Sequence, residues 1–359
     1  MADDAIMAIE EFQTALDWQA DHAEQNGAPC TARVIRALAK VRETDTATGR
    51  RIANWHGLTL KDAMPLRMAG GLHHLVLSGE DARLARVYSG QITDQGQIDR
   101  LVCDLVETFD HLLLPWLDGP PQTNEAGRSA SLMAGILWAA QRVVPRFELF
   151  EIGASAGVNT MLDRYRFNLG GTEVGPAASP MRIEPEWRGE GAPPNAPEAF
   201  EIASGRGCDL APVDLSDPAS ALKLKSYVWP DAQVRMARID AAIQLASEAA
   251  PDVVKQDAAS FAMEMLERPQ AEGTTRAMFH SIMWQYMPAE AQETITRAFE
   301  AAGEKATADK PLAWIALETD PATFRHELKV RLWNGGTHRG ETHLLAFAHP
   351  HGAWVEWVG

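Results

Sequence analysis

Apolar residues recur at helical spacing through the first part of the chain. Ile6, Ile9, Phe12 and Leu16 form one series, Val34, Leu38 and Val41 a second, and Leu72, Leu75 and Val76 a third. Leu101, Val102, Leu105 and Val106 continue the 3.6-residue repeat of helices buried on one side. No run alternates as a half-buried strand would. Asp118-Gly119-Pro120-Pro121 interrupts the pattern. A last helix is expected over about Asn124–Val144, with Leu132, Met133, Ile136, Leu137 and Ala140 as its buried stripe and Pro145 as its stop.

Beyond Pro145 the pattern changes to short apolar runs alternating with helices. Strands are expected at Leu149–Ile152, Met181–Glu184, Phe200–Ala203, Asp252–Val254, Ala277–Ile282 and Leu312–Leu317. Helices fill Ala156–Tyr165, Pro218–Ser226, Ala232–Glu248, Ala258–Leu266 and Ala289–Ala301. Such alternation specifies a mostly parallel sheet covered on both faces. Glu327–Trp333 and Thr342–Ala348 are joined by a turn too short for a crossover helix, so they must pair antiparallel. The reading is thus α/β: an all-helical domain over 1–145, then a mostly parallel sheet over 146–359 that closes in an antiparallel hairpin. Residues 185–198, rich in Pro and Gly, read as a surface loop.

Composition narrows the class. A net charge of −16 leaves no long-range attraction for nucleic acid or anionic lipid, so a small-molecule substrate is expected. The locally basic series Arg33, Arg36, Lys40, Arg42, Arg50, Arg51, Lys61 and Arg67 reads as a solvated helix face. No stretch is apolar enough to span a bilayer, and Met1-Ala2-Asp3-Asp4 is acidic, unlike the start of a signal peptide. Cys30, Cys103 and Cys208 lie far apart, which argues for a reducing, cytoplasmic setting. Oligomeric state is not legible.

The chemistry concentrates at residues 147–159, where an apolar run ends in Glu151 and passes through Gly153-Ala154-Ser155-Ala156-Gly157 into Val158 and Asn159. Strand, glycine turn and helix start is the layout in which an α/β sheet binds a nucleotide-like ligand. Glu151-x-Gly153-x-x-x-Gly157 is similar to the first motif of S-adenosylmethionine methyltransferases. On that reading Glu151, Gly153, Ser155, Gly157, Asn159 and Asp257 bind the cofactor S-adenosylmethionine. The glycines would admit its methionine moiety, and the helix start would face its carboxylate. Asp257 equally suits the N-cap of the helix that follows it.

Gly153-x-Ser155-x-Gly157 also matches a serine hydrolase's nucleophile elbow, with His349 or His351 as base and Asp257 or Glu318 as acid. That elbow normally follows several strands, and only helices are expected here. A dinucleotide fold would place glycine where Ser155 stands. A binding protein that kept the fold without catalysis is a further alternative.

His280 and Tyr286, at the end of a core strand, are candidate acid–base residues; a hydrogen-bonded structural histidine is the competing reading. Asn124, Glu125 and Arg128 are candidate substrate contacts, and the helical domain is expected to shape the acceptor pocket. Asp231 reads as an N-cap. His349-Pro350-His351-Gly352 lacks further ligands nearby and reads as a turn, so no metal is expected.

Several stretches together resemble a bacterial family known only as a domain of unknown function, number twenty-three thirty-two. They are Thr123–Arg128, Glu151–Asn159 with Asp163-Arg164-Tyr165, Arg206-Gly207-Cys208-Asp209-Leu210, Val228-Trp229-Pro230-Asp231 and His349-Pro350-His351-Gly352-Ala353-Trp354. Val158 stands where the family usually has Leu. The resemblance implies a Rossmann-like, methyltransferase-type fold and brings no settled substrate.

Overall fold

The computed structural model describes residues 9–122 and 124–359. Met1 to Asp4, Ile6 and Thr123, used in the sequence reading, lie outside these residues. The chain forms two compact units, Met1–Thr123 with Asp217–Ala237, and Asn124–Ser216 with Arg238–Gly359. This division differs from a single cut at 145/146 in two respects. Helix Ser129–Ala140 packs on the sheet, and residues 217–237 leave the sheet unit to join the helical one.

The first unit is helical, with helices Phe12–Gln25, Pro29–Val41, Ala47–Ala53, Met64–Leu77, Gln95–Leu113 and Pro218–Ser226 among its elements. Leu16, Ile35, Leu38, Met68, Leu72, Val102 and Leu105 form its core, as the 3.6-residue pattern requires. Residues 217–237 are held by polar contacts within this unit. Asp231 accepts the Cys30 and Thr31 N–H groups at 2.9 Å each, so it caps helix Pro29–Val41. The buried His73 meets the Ser226 carbonyl through Nδ1 at 3.1 Å, and burial pulls its pKa down to about 4. Four of the eight basic residues pair locally: Arg36 with Asp21 and Glu24, Lys40 with Glu43, Arg50 with Asp45 and Arg51 with Asp118.

The second unit carries twelve strands: β1 Arg146–Ile152, β2 Arg166–Leu169, β3 Thr172–Val174, β4 Arg182–Ile183, β5 Glu186–Arg188, β6 Glu201–Asp209, β7 Val253–Lys255, β8 Thr275–Ser281, β9 Leu312–Thr319, β10 His326–Trp333, β11 Arg339–Ala348 and β12 Trp354–Trp357. Nine form one sheet in the order β5-β12-β11-β10-β9-β8-β1-β6-β7; β3-β2-β4 form another. Pairing is parallel from β7 through β9 and antiparallel from β9 through β12. No strand precedes β1 among the described residues.

Phe150 and Ile152 of β1 pack with Phe261 and Phe299 from helices Ala258–Glu267 and Ala289–Gly303 on one face. Helix Ser129–Ala140 lies on β9 and β10 and is buried on every side, not along one stripe. It contains no charged residue, which suits an all-round apolar environment. Three expectations need correction. The 156–165 helix is a six-residue 3-10 segment, Asn159–Arg164. The 181–184 strand belongs to the small sheet. Within the expected 185–198 loop, β5 pairs with β12, and Trp187 stacks on Trp357.

Candidate functional site

Strand order reverses beside β1, whose neighbours are β6 and β8, and ligands of open α/β sheets bind at the carboxyl end of such a junction. The glycine turn stands there. Gly153, Ser155 and Gly157 have φ of +67°, +52° and +71°, a conformation that favours glycine and makes Ser155 the strained member.

The turn's donors are largely satisfied from within. Ser155 N–H donates to Asp209 Oδ2 at 2.8 Å, and Val158 N–H to Asn124 Oδ1 at 2.8 Å. Ala154 N–H reaches the Cys208 carbonyl at 2.9 Å, and Gly157 N–H the Ala154 carbonyl at 2.8 Å. The expected row of N–H groups at a long helix start is therefore replaced by a self-bonded turn. A Cβ at Gly153 would come within 2.8 Å of the Met283 side chain, and one at Gly157 within 2.6 Å of Val253. These glycines accommodate protein neighbours in this conformation.

Glu151 is 1% exposed and accepts the Thr160 hydroxyl. Burial pushes its pKa up to about 8, with Asp209 adding to the rise and Thr160 and Arg128 opposing it. Its carboxyl faces Thr160 inside the protein, and burial favours the protonated form. Asn159 is fully buried, and neither atom of its amide makes a hydrogen bond; nor does the Ser155 hydroxyl. Asp257 accepts Ser260 N–H at 2.9 Å as the N-cap of its helix, which lowers its pKa, while remaining exposed.

Asn124, Glu125 and Arg128 join this region to the turn after β11. Arg128 donates from Nε to the Pro350 carbonyl at 3.0 Å and from Nη1 to the Ser281 carbonyl, the end of β8, at 3.3 Å. Arg238 donates to the His351 carbonyl at 3.0 Å and lies 3.8 Å from Glu125, and His351 Nδ1 is also 3.8 Å from Glu125. Gly127 and Gly352 make this meeting possible: a Cβ on Gly352, at φ +68°, would lie 2.1 Å from the Gly127 oxygen. Three distant segments of the chain thus meet in one polar cluster around the buried Glu125.

His280 and Tyr286, the candidate acid–base residues, stand in very different surroundings. His280 is buried; its Nε2 accepts the Trp314 indole N–H at 2.9 Å, and its Nδ1 bonds Glu318 at 2.6 Å. An indole only donates, so Nε2 carries no proton and both ring nitrogens are committed. Glu318 also accepts the Met283 and Trp284 N–H groups, fixing the loop after β8. Tyr286 is 76% exposed. Ser155 Oγ bonds none of the candidate hydrolase partners.

Sequence reasoning did not assign Thr160, Asp209 or Arg238 to the site. Asp209 ends β6 inside a matched stretch, a usable signal. Arg238 lies in a helix with ordinary charge patterning and gave none.

Strand order defines a mixed α/β protein with a large, mostly parallel sheet and a helical N-terminal region. The chain belongs to the family described as "Uncharacterized protein conserved in bacteria (DUF2332)", whose model matches residues 13–357. Neither the curated proteins nor the solved structures offer a match to it. No helix among the described residues is long and apolar enough to cross a membrane.

Proposed function

We propose that the sheet unit is a Rossmann-like methyltransferase domain that binds S-adenosylmethionine over the ends of β1, β6 and β7 and methylates a small molecule. One observation carries this reading: an acid with exposed surface stands at or just beyond the ends of the adjacent strands β6 and β7, Asp209 and Asp257, beside a glycine turn whose N–H groups at 155 and 158 already have acceptors. A phosphate ligand needs free donors. A ligand presenting a sulfonium, an ammonium and ribose hydroxyls is rich in positive charge and donors instead, and suits an acidic edge. Asp209 and Asp257 are the acids with exposed surface, and Glu151 holds the turn through Thr160.

The sulfonium supplies an already activated methyl group, so the protein's contribution is positioning and exclusion of water. Met283, seated on Gly153, is the side chain that must yield. Within this reading Asn124, Glu125 and Arg128 set the turn and the β8 end, His280 with Glu318 fixes the loop bearing Met283, and Tyr286 is the acid–base group open to solvent.

Calorimetry with S-adenosylmethionine and its demethylated product, against NADH, tests the reading. Binding of the first two alone is expected, weakened about ten- to a hundredfold in Asp257→Asn, which keeps the cap. Absence of heat with both would refute it. The second reading, a Ser155 nucleophile, rests on the strained φ and unbonded hydroxyl of that residue. Labelling of Ser155 by a fluorophosphonate, abolished in Ser155→Ala, would establish it.

A further inference from the structure

Away from the glycine turn, His338, Glu341 and His343 place one ligand atom each within 4.8 Å of one another. Their spacing would not bring them together in a regular strand. Successive side chains alternate, so His338 would face away from Glu341 and His343. Pairing explains the convergence: Trp333 stands opposite Arg339, but Arg331 stands opposite Thr342. β11 thus carries one extra residue, a bulge, and its parity resets. Gly340 makes the bulge, at φ +91°, where a Cβ would lie 2.5 Å from the Trp333 ring.

The three groups are also held in place. His338 N–H and Gly336 N–H both donate to Asn334 Oδ1, at 3.1 and 3.0 Å, which sets the turn. One Glu341 oxygen accepts Arg339 N–H at 2.9 Å. The His343 ring lies 5.0 Å from Trp138 and 6.4 Å from the His338 ring. Arg142, stacked over Trp138 at 3.9 Å, and Arg339 are nearby cations; the ligand carboxylate offsets part of their field.

We propose that His338, Glu341 and His343 bind a divalent transition-metal ion of the zinc type. Two imidazoles and a carboxylate are the donor set for that class, and three ligands leave a coordination position open. Zinc bonds of about 2.0–2.2 Å would require rotation of these side chains to draw their ligand atoms, now within 4.8 Å of one another, closer together.

The test is calorimetric titration of Zn2+ into the full chain without an affinity tag, beside Cu2+ quenching of tryptophan fluorescence. One saturable equivalent of Zn2+ is expected. His338→Ala and His343→Ala should each weaken it at least tenfold, and part of the Cu2+ quenching should vanish in Trp138→Phe. Glu341→Gln, at an exposed position that cannot threaten the fold, should also weaken binding. Absence of saturable binding, or unchanged affinity in Glu341→Gln and in the folded double histidine variant, would overturn the proposal.

Discussion

Asn124 Oδ1 accepts the N–H of Val158 at 2.8 Å, which ties the segment opening helix Ser129–Ala140 to the end of the glycine turn. The contact substitutes for the helical bonding that the chain after Gly157 lacks. Removing it leaves a shielded N–H without an acceptor, at a cost of about 1–3 kcal/mol. Asn124→Ala is expected to lose stability of that order by urea unfolding, and Asn124→Asp, which keeps an acceptor, to lose less.

Glu151 makes stability depend on pH. In the unfolded chain its carboxyl ionises near the ordinary 4.5, but in the native state only near 8. Between those values the native state binds more protons, so stability falls as pH rises through the window. His73 acts oppositely: its pKa is about 4 in the fold against 6.5, so stability falls as pH drops from 6.5 to 4. Glu151→Gln should match the parent below pH 4.5 and exceed it increasingly towards pH 8. Urea midpoints across that range check the slope.

Trp314 and His280 form a buried pair whose loss is measurable as coupling. Trp314→Phe leaves His280 Nε2 without its donor, at about 1–3 kcal/mol. His280→Ala orphans the indole N–H and one Glu318 contact and should cost more. The double variant should lose less than the sum, because each single change strands the other's group. Additive losses would show that the bond contributes nothing.

Gly127 and Gly352 are expected to tolerate no side chain. Gly352→Ala puts a Cβ 2.1 Å from a backbone oxygen at a left-handed φ, and Gly127→Ala puts one 2.3 Å from the His351 oxygen. Each should cost more than about 2 kcal/mol in thermal or urea unfolding, and the two should not add.

The sequence by itself determined the elements. Helical periodicity before Pro145, the run at Leu149–Ile152, the helices at 218, 233, 258 and 289, and the antiparallel partner strands around Asn334 all follow from local propensity and burial pattern. It also singled out Asn124, Glu125, Arg128 and the glycine turn, the first three chiefly through the family resemblance, since polar side chains and glycines are common at element ends. The helix expected at Ala156–Tyr165 failed because its apolar spacing serves packing of a 3-10 turn. Gly205 and Gly207 of β6 let Thr160 approach closely. Only the tertiary structure decided which groups are spent. His280 became a fixed tautomer because Trp314 and Glu318, more than thirty residues on, converge upon it. The Glu151 pKa is raised because the fold removes the carboxyl from water. The convergence of His338, Glu341 and His343 depends on one extra residue in a strand pairing. Such facts belong to register and burial, which depend on which distant segments meet, and no local pattern encodes that.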